Sequence, residues 1–215
     1  TSVQGIRLLG CGIRSKLTLG FDGNLIVFEA LPSGLALSHH QIKNLCFVGN
    51  GRISGDLIHV EYVSDLYIEN CIFLGLTQNG NAIYVAGNPN DGQSSHDIFI
   101  RDNYFDSNNQ PGNAGLYLDT TAADIQLSRN FMELRHTVNY GLYIRDCGSL
   151  QSFDNHYYNC KINVLKIDGS SGKHYMFDND FIDNAYADVV NIDGTNIAVA
   201  NGSISFKGCL FMSPG

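Results

Sequence analysis

Positive charge is scarce in this chain. Lys and Arg supply 13 of 215 residues against 21 Asp and Glu, which leaves a net charge of −8 and an isoelectric point near 5.2. No basic cluster exceeds isolated pairs, so neither nucleic acid nor an anionic membrane surface finds a complementary partner here. Long apolar runs are missing as well. None approaches the roughly 18 residues that a membrane-spanning helix needs, so no membrane insertion is expected. The six cysteines (Cys11, Cys46, Cys71, Cys147, Cys160, Cys209) lack CxxC spacing and the histidines lack ligand spacing, so the expected metal and cofactor complement is none. Free, mostly buried thiols are expected instead, which suits folding under reducing conditions. The start Thr1-Ser2-Val3-Gln4 carries neither an initiator Met nor a signal-peptide pattern, and the chain is read as a segment of something longer.

What the chain has in abundance is glycine and asparagine. Its 23 glycines and 22 asparagines make up about a fifth of the sequence and favour turns and left-handed backbone over helix. With 44% hydrophobic and only 16% charged residues, the composition is that of one folded domain over residues 1–215.

A short pattern repeats. Two apolar residues flank a variable one, then a polar turn residue, then an aromatic or apolar pair: Leu66-Tyr67-Ile68-Glu69-Asn70-Cys71-Ile72-Phe73, Ile98-Phe99-Ile100-Arg101-Asp102-Asn103-Tyr104-Phe105, and Tyr175-Met176-Phe177-Asp178-Asn179-Asp180-Phe181-Ile182. A second alternating pattern lies between these copies, as in Leu116-Tyr117-Leu118-Asp119 and Leu142-Tyr143-Ile144-Arg145. Its last apolar position falls at Val60, Val85, Leu118, Ile144, Ile167 and Ile192, a mean period of about 26 residues. Period-two alternation predicts strands, at least two per repeat. Insertions over Gly87 to Ser95 and Asn108 to Gly115 read as surface loops. Asn70, Asp102, Asn155 and Asn179 read as one shared turn position.

Both halves of the repeat are β-patterned, and no stretch offers ten residues of helical periodicity. That excludes a leucine-rich repeat and leaves a parallel β-solenoid of about seven coils. The repeat, from roughly Gly5 to Phe211, resembles the pectate-lyase-like right-handed parallel β-helices, and among them the bodies of bacteriophage tailspikes. The resemblance implies an all-β right-handed parallel β-helix, a virion protein, a parallel homotrimer and a bacterial surface polysaccharide (capsule or O-antigen) as partner. Outward Phe99 and Met176 would suit the subunit contact. The superfamily's activity signatures are absent: there is no N-T-D, D-D, G-H-G and R-I-K set, and no Y-D-x-x-P. No catalytic residue carries over by motif.

Candidate site residues come from strand geometry instead. In the second pattern, the residue between the apolar positions and the one following them point outward on the same face. One ladder is then His59, Tyr84, Tyr117, Tyr143, Lys166 and Asn191; its neighbour is Glu61, Ala86, Asp119, Arg145, Asp168 and Asp193. Stacked tyrosines beside carboxylates with an interposed Arg fit an extended carbohydrate cleft, making Tyr84, Tyr117, Tyr143, Arg145, Lys166, Glu61 and His59 candidate substrate-binding residues. Asp168, Asp193 and Asp119 are the candidate catalytic residues. Asp168 and Asp193 on neighbouring coils would sit about 5 Å apart, near the spacing of a retaining glycosidase, with one pKa of the pair raised by its partner. Asp119 and Asp168, two coils apart, would sit about 9.6 Å apart, at the upper end for an inverting pair. A lyase would use Lys166 or Arg145 against a uronate. The competing reading makes Asp168-Gly169 and Asp193-Gly194 ordinary strand-to-turn junctions. Gly169-Ser170-Ser171-Gly172-Lys173-His174 lacks the rest of a phosphate loop and reads as a turn, and Asn201-Gly202-Ser203 is a formal sequon only. Three functions therefore stand: a polysaccharide-degrading glycoside hydrolase, a non-catalytic polysaccharide binder, and a structural shaft.

Overall fold

The computed structural model describes residues 5–29, 37–88, 93–120, 122–168, 173–185, 187–193 and 202–213. Three parallel sheets run the length of the molecule. Sheet A contains Arg7–Leu9, Leu37–Lys43, Val63–Glu69, His96–Arg101, Ile125–Ser128, Ser149–Phe153, His174–Asp178 and Ser203–Lys207. Sheet B contains Lys16–Thr18, Cys46–Val48, Ile72–Leu74, Tyr104–Asp106, Phe131–Glu133, His156–Tyr158, Phe181–Asp183 and Leu210–Met212. Sheet C contains Ile26–Phe28, Ile58–Glu61, Asn81–Ala86, Gly112–Leu118, Val138–Arg145, Asn163–Asp168 and Val190–Asp193. The chain visits A, B and C in turn, completing seven coils and laying the first two strands of an eighth. The one helical element among the described residues is the 3-10 turn Gly12–Arg14.

Each coil thus holds three strands, because the longer sequence pattern is cut in two by a sharp corner. Val63–Glu69 ends and Ile72–Leu74 begins across Asn70 and Cys71. The first corner position is occupied by Asn44, Asn70, Asp102, Arg129, Asp154, Asn179 and Gly208, all with φ between 50° and 64°. Left-handed backbone favours Asn, Asp and Gly, whose side chains are short or absent. Arg129 is the exception, and its guanidinium donates to both oxygens of Asp102 on the preceding coil at 2.7 and 2.8 Å. Asn155 does not belong to this set, contrary to the sequence alignment of turns; Asp154 does, and Asn155 lies one residue on.

That next position builds a buried ladder. The Oδ1 of Asn130 accepts from the backbone N–H and side-chain amide of Asn103, Asn155 does the same for Asn130, and Asp180 does the same for Asn155. Each Asn amide also donates to a backbone carbonyl, of Ile68, Ile100 or Leu127. Backbone groups that a tight corner would strand in the core are thereby satisfied.

Inward positions of all three sheets share one apolar core. Phe47, Phe73 and Phe105 stack in register along sheet B, with centroids 5.1 and 4.6 Å apart, and Met132, Tyr157 and Ile182 continue the column. Repetition of one apolar position on successive coils gives a continuous column because parallel in-register strands place like positions one above another. The loop expected over Asn108 to Gly115 is shorter than read: Asn108 and Asn109 form a turn, and Gly112–Leu118 is strand. Of the other expected turns, positions 89–92, 169–172, 194 and 201 lie outside the described residues. All six cysteines are free, with Cys46, Cys71, Cys147 and Cys160 buried, Cys209 half-buried and Cys11 exposed.

Candidate functional site

Sheet C holds the candidate residues in two columns, all within its strands except Asp119, which directly follows Leu118. His59 lies opposite Tyr84, Tyr84 opposite Tyr117, Tyr117 opposite Tyr143, Tyr143 opposite Lys166, and Lys166 opposite Asn191. In the neighbouring column Glu61 pairs with Ala86, Arg145 with Asp168, and Asp168 with Asp193, while Asp119 follows Leu118 at the level of Arg145. Both columns face outward because the intervening positions, Val60, Val85, Leu118, Ile144 and Ile167, are fully buried.

The tyrosine rings lie against one another. Tyr117 and Tyr143 stack at 4.5 Å with planes 7° apart, His59 stacks on Tyr84 at 4.7 Å, and Tyr84 meets Tyr117 edge-on at 5.3 Å. The rings therefore form two stacked pairs, His59 with Tyr84 and Tyr117 with Tyr143, set almost at right angles where Tyr84 meets Tyr117. The Tyr84 and Tyr143 hydroxyls each bind an acid of the neighbouring column, Asp119 and Asp168.

Asp119 is the most heavily held group on the face and is 4% exposed. Arg145 grips it with two hydrogen bonds, Nε to Oδ1 at 2.7 Å and a terminal nitrogen to Oδ2 at 2.6 Å. The Tyr84 hydroxyl donates at 2.9 Å, and the Thr120 N–H and hydroxyl donate at 2.7 and 3.1 Å. Burial alone would raise this carboxyl's pKa, but the donors from Arg145, Thr120 and Tyr84 outweigh it and hold the pKa below the usual range. Such a group stays ionised and is a poor general acid. Burial, then the adjacent Asp119 charge, pushes the Tyr117 hydroxyl up to about 12, and Tyr84 rises for the same reasons.

One coil pair further on, Asp168 accepts from the Tyr143 hydroxyl at 2.5 Å and pairs with Lys166 at 2.7 Å; Lys166 also donates to Asn191 at 2.8 Å. Asp193, in register with Asp168, is exposed. At the other end, His59 is held by Asp56 at Nδ1 (2.7 Å) and Glu61 at Nε2 (3.0 Å). Burial lowers its pKa, but these two carboxylates more than compensate, so the imidazole titrates above its ordinary value. Asp56 escaped the sequence reading because it sits in the connection before Ile58–Glu61, outside the repeated strand pattern; its position three residues before His59 was the available signal.

The sequence reading also passed over sheet A as a ligand face. Its outward column is Gln41, Tyr67, Phe99, Gln126, Gln151, Met176 and Ser205. Phe99 stacks on Tyr67 at 4.7 Å, and Met176 is 41% exposed. Two surface hollows of about 250 and 310 Å³ lie side by side on this face and share Ser149, Leu150 and Gln151. Among the described residues, no group of three His, Cys, Asp or Glu side chains is placed to hold a metal ion.

No protein-family model matches the chain, and no curated protein matches it. Among solved structures, ORF18 of Geobacillus virus E2 is similar at 10% identity and a TM-score of 0.44, over 98% of this chain and 50% of that one. The chain thus spans half the length of that protein, and at this level the likeness bears on neither family nor activity.

Proposed function

We propose that the chain is a tailspike-like β-helical segment of a virion protein whose sheet C face holds a polysaccharide of the bacterial surface. The carrying observation is that the polar groups of this face are locked by one another. Asp119 is fixed by Arg145, Tyr84 and Thr120, and Asp168 by Tyr143 and Lys166. Side chains already ordered in the free protein lose little entropy when sugar hydroxyls bind, which is what a rigid recognition surface requires. In this reading Arg145, Lys166, Glu61 and His59 meet the glycan at hydroxyls, and Tyr84, Tyr117 and Tyr143 line the face beside them. Parallel homotrimer assembly belongs to the same proposal.

Hydrolysis is the second reading, and one observation favours it. Asp168 and Asp193 are in register on adjacent coils, close to the spacing of a retaining acid and nucleophile pair. A lyase is less well supported, because Lys166 is committed to Asp168 and Asn191 rather than free to act as a base.

One experiment separates these readings. Purified capsular or O-antigen polysaccharide is mixed with the protein, and binding and new reducing ends are measured together. A recognition face gives binding without reducing ends, and Tyr117→Ala with Tyr143→Ala weakens it by about tenfold or more. A hydrolase gives reducing ends whose formation falls at least about 10²-fold in Asp168→Asn and in Asp193→Asn, with binding retained. If none of the polysaccharides that bind loses affinity in the tyrosine variants, the assignment of a ligand to sheet C fails.

A further inference from the structure

We propose that the outer face of sheet A is a separate binding groove for an extended, uncharged polysaccharide, with Gln126 and Gln151 as its principal contacts. The two hollows share Ser149, Leu150 and Gln151 in their linings, which together span the strands from Asp97 to Ser205. Gln126 and Gln151 lie opposite each other on adjacent strands, half-buried and exposed respectively. Among the described residues, no side-chain hydrogen bond engages either amide. Each offers two N–H donors and a carbonyl acceptor on one planar group, the complement that neighbouring sugar hydroxyls take up. The repeat of a pyranose along an extended chain is close to the rung spacing of about 4.8 Å, so successive sugars meet successive coils.

Charge selects the class of glycan. Neither hollow is lined by Lys or Arg; the titratable groups in their linings are Asp97, Asp124 and His174, the last held by the Ser203 hydroxyl at 3.0 Å. Asp124 is occupied by the Ser149 hydroxyl at 2.5 Å, and Asp97 by His96 at 2.9 Å. A uronate, sulfate or phosphate would meet two carboxylates and neither Lys nor Arg, whereas neutral sugars meet amides and hydroxyls. A second copy of the chain is the competing occupant. It is disfavoured because Tyr67 and Phe99 stack on each other and Met176 is the one apolar side chain in the hollows exposed beyond a third, too little for a subunit-interface core.

The test is an array of bacterial capsular and O-antigen polysaccharides, neutral and uronate-bearing, probed with the full chain, accompanied by sedimentation velocity. The expected result is binding to at least one neutral glycan that falls about tenfold or more in Gln126→Ala/Gln151→Ala and stays within about twofold in Tyr117→Ala/Tyr143→Ala. Both glutamines are at the surface, and an unchanged circular dichroism spectrum verifies that the pair still folds. Loss of that binding in the tyrosine variant alone returns the ligand to sheet C and overturns the groove without touching the previous section's reading. Binding confined to uronate-bearing glycans, no binding to any glycan, or self-association that Gln151→Arg abolishes would each also overturn it.

Discussion

Sheets A and C are built from the same repeat, with the same alternation, yet the outer face of sheet C and the stretch of sheet A around Gln126 and Gln151 are chemically opposite. On sheet C the long side chains carry complementary charges and phenols, and they close on one another: Arg145 on Asp119, Lys166 on Asp168, His59 between Asp56 and Glu61. On sheet A the amides of Gln126 and Gln151 stand open above two hollows. A solenoid fixes where side chains stand, about one rung apart, but not whether neighbours satisfy each other. Where acids and bases alternate up a column, their polar groups are fixed in place before any ligand arrives; where like neutral groups stack, as Gln126 and Gln151 do, the amides keep no side-chain partner among the described residues.

The largest effect should come from damage common to both faces. Asn130 sits mid-ladder in the corner between sheets A and B, and Asn130→Ala strands the Asn103 N–H and the Ile100 carbonyl inside the core. A loss of about 3 kcal/mol in urea unfolding is expected, on the scale of two buried groups left without partners. Glycan binding on both faces should decline together near the midpoint. A loss under about 1 kcal/mol would mean the corner tolerates the gap.

Next comes a change confined to sheet C. Arg145→Ala leaves the 4%-exposed Asp119 carboxylate without its bidentate partner, and about 2 kcal/mol of destabilisation is expected, reduced from the fully buried case because Arg145 is half exposed. Its pH signature has a definite sign. Because the folded pKa of Asp119 is depressed, its contribution is present above the unfolded carboxylate value and is lost as pH falls through the folded value. The variant should therefore show a flatter acid limb of stability against pH, with the sheet A groove unaffected.

The smallest effect tests the end of the ladder. Asp180 is 1% exposed, and its pKa is raised by burial despite donors from Ser152 and Asn155. A raised carboxyl pKa means stability is greatest below the unfolded value and falls as pH rises through the folded one. Asp180→Asn removes that penalty. The variant should match the parent at low pH and exceed it by about 1 kcal/mol at neutral pH, as read by thermal melts across pH. Equal stability at neutral pH would show that the buried charge costs nothing there.

Much of this was legible in the order of residues. The period, the parallel solenoid, the number of coils and both columns of sheet C follow from apolar alternation, because a side chain's face depends only on parity along a strand. The corner was half legible. Asn70, Asp102 and Asn179 share it as read, but the Phe153-Asp154-Asn155 copy places two turn-forming residues together, and only the cross-strand register puts Asp154 at the left-handed position and Asn155 in the buried ladder. Asp56 gave only a weak signal, its place three residues before His59 but outside the repeated strand, and the sheet A groove gave none, because it depends on what surrounds the glutamines.

The sequence by itself determined which residues stand on which face and in which column, since backbone periodicity is a local property. Whether a given carboxylate in a column is free or spoken for was decided only by the tertiary structure. Side chains on neighbouring coils are about 25 residues apart in sequence but one rung apart in space, as Tyr143 and Asp168 are, and their rotamers choose partners across that gap.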